Sequence, residues 1–507
     1  MTTRHFILVL PPVSPVGDRP HYLWVLQKWL HEFRTTGTTI ILPEFYRSAF
    51  GEPERWEFGQ WSAGFHGYEP VRDLSDHPAS MRFYPSGTGS DPATAPNVRF
   101  SDSVRTVDDS LAAFYTGILQ DVRAQTGARP VLVAWVNNAT LRSVATAQDA
   151  DLTFNEIGPL RRPHYRQTAY WDTHGVNGDT SVPALWEAER SDFERWLGDH
   201  PEFLSPEGVQ RVFTTPREHR PQPEITVGLA LQIETDSNAL LFSRGWNNLS
   251  VLEYLQEQHR PDDYLIRYHP NGKALYTGPT DRTASPLDFL FRVKTLWTIN
   301  SSLGIEAFFW SHPVRFFGNS PASLFLTMTE NEKAAFRAWF FLRYLIPWRL
   351  LFSMDYYAWR FEAPSCVAIT ERHLRAYGEE SPVSSGPVPG TPPDLRPVMV
   401  PPLPQALTEL DEDMITVLRG RIADRNRWIA DRDRWIAERD DTITLLRSRI
   451  KDRDKWVSDR DRWIADRDVW VAERDETIAL LRSQIEDRDH RIAERDSTIE
   501  TLKQNPA

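Results

Sequence analysis

Four short polar clusters in this 507-residue chain have residue types that could do chemistry. The first is Gln232-Ile233-Glu234-Thr235-Asp236-Ser237-Asn238. A carboxylate such as Asp236 can serve as base or nucleophile, or only cap a following helix through a main-chain N–H. The second is Arg267-Tyr268-His269-Pro270-Asn271. Pro270 restricts His269 to extended backbone, which points the imidazole off a strand end. There it can hold a phosphate or assist a leaving group, or be an incidental histidine in a surface turn.

The third cluster is Asn300-Ser301-Ser302-Leu303-Gly304-Ile305-Glu306-Ala307. Small hydroxyl residues opening a helix expose free N–H groups and the positive end of its dipole, which suits an anion. An ordinary N-cap explains one serine but leaves the second and Gly304 unexplained, and Glu306 lies one turn further in. The fourth cluster is Asn155-Glu156-Ile157-Gly158-Pro159-Leu160-Arg161-Arg162-Pro163. Glu156 either faces a cleft from a different domain or is a solvated side chain of an exposed loop.

The elements around these clusters alternate. Strand-like runs at Phe6–Leu10, Thr39–Leu42, Pro130–Val136 and Asp151–Phe154 are interleaved with helical patterns at Tyr22–Phe33 and Val104–Arg123. A second series follows at Val227–Ile233, Tyr264–Tyr268, Lys294–Ile299 and Val314–Phe317. Alternation of this kind predicts parallel sheets with helices on both faces, hence two Rossmann-like domains. Ligands in such sheets sit beyond the carboxyl ends of the strands, where the clusters fall. The expected domains are residues 1–220 and 221–375, followed by a linker at 376–404 that holds nine prolines, and a tail at 405–507.

Taken in order, Glu-x-Gly-x-Leu-Arg-x-Pro, then Gly175-Val176-Asn177-Gly178, Gln-x-x-x-Asp, His-Pro and Asn-Ser-Ser-x-Gly-x-Glu-Ala resemble the bacterial capsule-polysaccharide glycosyltransferases. Within them the order resembles the β-Kdo transferases, which use CMP-Kdo. That resemblance spans roughly residues 150–320. It implies an α/β, GT-B-like pair of Rossmann-type domains, transfer without a metal or other cofactor, and the donor nucleotide mainly on the second domain. It further implies Asp236 as catalytic carboxylate and nucleophile of a retaining double displacement, Glu156 as acid/base, and His269 as a ligand of the leaving phosphate. Gln232, Arg267, Pro270, Asn300, Ser301, Ser302, Gly304 and Glu306 are then expected around the donor. Arg161, Arg162 and Asn177 are candidates for the acceptor side or for a donor carboxylate. A transferase using another nucleotide-sugar, or a non-catalytic scaffold, are the other readings; the intact set of Glu156, Asp236 and His269 speaks against the second.

The formal charge of −12 argues against nucleic acid as a partner, and the lone Cys366 excludes an intrachain disulfide and fits a reducing, cytoplasmic setting. The most apolar stretch, Phe336–Phe352, is interrupted by Arg337, Arg343, Pro347 and Arg349, so it is read as a helix closing the core. Its arginine–aromatic interleaving also suits a peripheral face at the inner side of the cytoplasmic membrane.

In the tail, a β-branched residue recurs every seven places from Ile415 to Ile499. That seam predicts a left-handed parallel coiled coil, hence a homo-oligomer. Apolar Leu418, Leu446, Leu481 and Leu502 alternate with arginines at the d positions, and Trp428, Trp435, Trp456, Trp463 and Trp470 at g favour three strands over two. As an extension of a sugar transferase that acts on a lipid-linked glycan, such a rod would space the enzyme from a membrane-bound polymerase or transporter. In a chain-terminating transferase, of the kind whose coiled-coil extensions this resembles, it would then act as a ruler of chain length; the alternative is avidity through multimerisation.

Overall fold

The computed structural model describes residues 3–380 apart from 16, 18, 34–37, 50–70, 73–76, 86–87, 89–95, 216–221, 235, 271 and 273; beyond 380 it describes residues 462, 467–468, 471 and 474–500. The prolines of the expected linker and most of the heptad seam lie outside the described residues.

Two units separate, residues 1–404 and 405–507. In the first, β1 (Arg4–Val9), β2 (Thr38–Leu42), β3 (Ser80–Phe83), β4 (Arg129–Trp135), β5 (Asp151–Ile157), β6 (Thr168–Asp172) and β11 (Ile346–Pro347) form one sheet in the order β11-β6-β5-β4-β1-β2-β3. A second sheet, β10-β9-β7-β8, is built from β7 (Ile225–Ala230), β8 (Tyr264–Arg267), β9 (Val293–Thr298) and β10 (Val314–Phe316). Every pairing of the second sheet is parallel. So are those of β1 to β5, whereas β6 and β11 run antiparallel to their neighbours. This is the expected α/β architecture with two Rossmann-type sheets.

The central strands are apolar almost throughout because helices cover both faces. Ile7, Leu8, Ile40, Ile41, Val131 and Val133 are all fully buried. The helix Asp109–Thr126 shows how the sequence sets its ends. The Asp108 carboxylate accepts from the Leu111 N–H at the start, and Gly127 at φ 63° closes it in the left-handed region.

Phe336–Phe352 departs from the single helix expected of it. The α-helix ends at Trp339, a π-turn covers Phe340–Tyr344, and Ile346–Pro347 then joins the first sheet beside β6. Pro347 cannot continue a helix, and the chain finds its hydrogen bonds on an edge strand instead. The segment is nevertheless core, with Phe340, Phe341, Leu342, Leu345 and Ile346 fully buried. Although it falls within the expected second domain, residues 221–375, its backbone pairs with β6 of the first sheet, so the chain crosses back.

Among the described residues no helix is long and apolar enough to cross a membrane. In the second unit, residues 474–500 are one continuous helix. Within this single chain its seam residues Ile478, Ile485, Ile492 and Ile499 are 41%, 58%, 50% and 44% exposed.

Candidate active site

Glu156 sits near the end of β5, opposite Tyr170 of antiparallel β6. Its Oε1 accepts the Ile157 N–H at 2.8 Å, and the side chain is half-buried. Burial pushes its carboxyl up to about 7; the Ile157 hydrogen bond and the Arg161 guanidinium oppose the rise, and the Asp236 carboxylate reinforces it. Asp236 follows β7 of the second sheet, so its carboxylate acts on Glu156 from the other sheet. Asp236 is also an N-cap, its Oδ1 accepting the Asn238 N–H at 2.7 Å.

His269 follows β8 in a turn closed by the Gly272 N–H on the His269 carbonyl at 2.9 Å. Burial lowers the imidazole's pKa, while Asp236 pulls it upward. A neutral ring at neutral pH is a hydrogen-bond donor or acceptor there, not a fixed cation. Arg161 acts electrostatically on Glu156, His269 and Glu306 alike, and its Nε donates to the Gly158 carbonyl at 3.0 Å. Arg162 is exposed and acts on Glu380 instead.

The third cluster begins where β9 ends. Ser301 caps the helix Ser302–Phe309, its hydroxyl accepting the Leu303 N–H at 3.3 Å. Asn300 is buried, and its Nδ2 donates to Asn238 O at 3.0 Å and Asn238 Oδ1 at 3.2 Å. Those two bonds fix the orientation of the amide and leave Asn300 Oδ1 buried without a partner. An unmatched acceptor beside the start of a helix is a place for a ligand donor group.

Other expected donor residues have framework roles. Gln232 Oε1 holds the Asn300 N–H at 3.2 Å. Arg267 pairs with the fully buried Asp281 carboxylate and donates to the Thr283 carbonyl at 3.0 Å. Gly304 is required by packing, since a Cβ there would collide with the Phe316 ring. Glu306 is spanned by the domains: Tyr165 OH donates to its Oε2 at 2.9 Å while accepting the Trp310 indole N–H at 2.8 Å. Burial pushes Glu306 up to about 7 against that hydrogen bond and the charges of Arg161 and Arg267.

Several site residues carried no local sequence signal. Asp172, buried at the end of β6, takes the His174, Gly175 and Ser181 N–H groups, the Ser181 hydroxyl and Tyr344 OH. Asn137 clasps Val176 from both sides, with Nδ2 on its carbonyl at 2.9 Å and Oδ1 on its N–H at 2.6 Å. Val136 before it lies at φ 63°, a costly backbone for a β-branched residue and a mark of functional sites. Together these hold Gly175–Gly178, where Asn177, at φ 64°, lines a small cavity with Ser237 and Phe242 of the second domain. Buried Tyr22 is a further neighbour of the reacting region. Burial raises its phenol well above the usual range, and Glu156 and Asp236 add to the rise.

No curated protein matches the chain. Among solved structures, a β-Kdo 2,7 transferase, KpsC of Thermosulfurimonas dismutans, is 16% identical, with 48% of this chain and 83% of that chain covered and a TM-score of 0.32. A β-Kdo 2,4 transferase of the same KpsC is 15% identical, with 51% and 83% covered and a TM-score of 0.30. The UDP-GlcNAc 2-epimerase of Methanocaldococcus jannaschii is 11% identical, with 66% and 91% covered and a TM-score of 0.25. The family described as Glycosyltransferase 99 family N-terminal domain matches residues 8–181, so over its first domain this chain is similar to glycosyltransferases, the class its motifs resemble.

Proposed function

We propose that this chain is a retaining glycosyltransferase that moves a Kdo-like sugar from a CMP-activated donor to a lipid-linked bacterial surface polysaccharide. The observation that carries the reading is that Asp236 and Arg161 both act electrostatically on Glu156 of β5 and on His269 after β8, so residues of the two sheets share one electrostatic neighbourhood. In the first half-reaction the Asp236 carboxylate attacks the anomeric carbon, and the carbon–oxygen bond to CMP breaks with its electron pair leaving on the phosphate. The N–H groups opening Ser302–Phe309, with the Ser301 and Ser302 side chains and His269, suit that developing charge. In the second, Glu156 takes the proton of the acceptor hydroxyl as its oxygen attacks the same carbon, and Asp236 departs. A carboxyl with a pKa of about 7 is matched to this task at neutral pH. Exposed Arg161 suits the donor's own carboxylate.

The tail supports a further part of the proposal, a trimeric coiled coil that ties the enzyme to a membrane-bound polymerase or transporter at the cytoplasmic face and limits glycan length. A helix with its isoleucine seam about half exposed is stabilised by covering that seam with further copies.

A thermal-shift series with CMP, UDP and GDP on the full chain tests the donor class. Micromolar CMP binding at excess ligand stabilises by a few kcal/mol, roughly RT ln([L]/Kd). Stabilisation by UDP or GDP but not CMP rejects the Kdo-type donor.

A further inference from the structure

We infer that the short helix Ser237–Phe242 is the element through which the first domain positions Asp236, and that Arg105 is the positioning residue that holds it. This rests on the reading of Asp236 as the catalytic carboxylate. Three observations converge on that helix.

Its first turn is bound to the second domain. Asp236 caps it, and Asn238 exchanges hydrogen bonds with Asn300, receiving Nδ2 on both its carbonyl and its Oδ1 and returning its own Nδ2 to the Asn300 carbonyl at 3.4 Å. The helix head is therefore tied to the loop that opens Ser302–Phe309.

Its last turn is bound to the first domain. Arg105, the final residue of the helix Pro96–Arg105, donates through Nη2 to the Leu240 carbonyl at 3.1 Å and also to the Leu241 carbonyl. The carbonyls at a helix C-terminus have no intrahelical donor, and a cation there also meets the negative end of the dipole. Both bonds come from the single nitrogen Nη2, whose two N–H groups are held towards the two carbonyls by the planar guanidinium.

Phe242, the last helical residue, is enclosed from both domains by glycines. A Cβ at Gly178 of the first domain would run into the Phe242 Cβ and ring, and a Cβ at Gly318 of the second would meet the Phe242 carbonyl. That carbonyl accepts the Asn319 N–H at 2.7 Å. Gly178 belongs to the Gly175–Gly178 stretch anchored by Asn137 and Asp172, so the seat of Phe242 is itself firmly held.

A helix this short has few internal bonds to resist displacement. Tied at one end to the donor loop and at the other to the first domain, it transmits the spacing of the domains to the carboxylate at its head. Arg105 touches no reacting atom; it sets where Asp236 stands.

The test uses the full chain with R105A, R105K, G178A and D236N, reading CMP-Kdo turnover, CMP affinity and hydrogen–deuterium exchange. R105A should lower kcat about tenfold or more while CMP affinity stays unchanged, since small misplacements of a reacting group cost rate steeply. Exchange in residues 237–242 should rise several-fold with the rest of the chain unaltered. R105K should recover part of the rate, and G178A should reproduce the loss of kcat by displacing Phe242. Unchanged exchange in residues 237–242 of R105A overturns the inference whatever the donor. So does an R105A enzyme with full kcat, or one whose CMP affinity falls by the same factor as its rate. If D236N keeps wild-type turnover, the catalytic reading fails and this inference with it; an inactive D236N beside a fully active R105A removes the inference alone.

Discussion

The two Rossmann-type domains deliver their polar residues in different ways. In the second, β7, β8 and β9 are adjacent parallel strands, and each hands a polar loop to the same edge: Asp236, His269 and Asn300–Ser302. In the first, parallel order stops at β5, and Glu156 lies within a strand that pairs antiparallel with β6. Its neighbourhood is completed by Tyr22 from the start of the chain, Arg161 from a loop, and β11 from nearly two hundred residues later in sequence. One domain presents a regular edge of polar loops; the other surrounds the half-buried Glu156 carboxyl with scattered parts. On the proposed mechanism this is a division of labour, with donor groups on the regular edge and the proton-transfer group on the irregular one.

The largest expected effect breaks that division at its centre. D236A should abolish transfer, a loss of three orders of magnitude or more, because no nucleophile remains. Circular dichroism should show an intact fold, since the half-buried side chain contributes only a short-helix cap. Wild-type turnover would remove Asp236 from the mechanism.

E156Q should also nearly abolish transfer, but through the other domain. CMP affinity, measured by calorimetry, should be unchanged, and a covalent sugar adduct on the enzyme should persist because its breakdown needs the base. Weakened CMP binding in E156Q would blur the division between the domains.

H269A should cost about 10²-fold in turnover and weaken CMP binding as well. A loss of rate with full CMP affinity would place the histidine with the proton-transfer group instead of the donor edge.

A smaller effect is continuous in pH. Glu156 must be ionised to act as base, and its carboxyl is held up to about 7, so turnover should fall roughly tenfold per pH unit below that value. Stability should run the other way. Glu156 and Glu306 both titrate near 7 in the folded chain against 4.5 as the reference. The folded state therefore binds more protons than the unfolded state between those limits. Their contribution is full below about 4.5 and lost as pH rises through 7. Melting temperatures of E306Q should show a shallower decline over that window than the parent chain.

The smallest catalytic effect concerns the tail. Deleting Ile436 through Trp470 keeps the heptad phase and shortens a helical rod by about 50 Å. Specific activity should not change, whereas the modal glycan length should fall. An unaltered length distribution eliminates the ruler and leaves only multivalency.

The sequence by itself determined the alternation of strands and helices and most strand positions, because buried parallel strands are nearly continuous apolar runs. It also determined the four polar clusters, since strand ends in such sheets are marked by polar and helix-capping residues within a few positions. Local signals of that kind survive in a linear reading. Only the tertiary structure decided that β11 returns to the first sheet, as a two-residue strand has no periodicity to read. It alone gave Gly304 to packing against Phe316, Gln232 to the Asn300 backbone and Arg267 to Asp281, each a contact with a partner that spacing cannot identify. The same holds for Arg105 on Leu240, Tyr165 on Glu306 and Asn137 on Val176, which join residues far apart in sequence. Whether a polar side chain faces ligand or framework depends on which distant atoms close around it, and that is fixed only when the chain has packed.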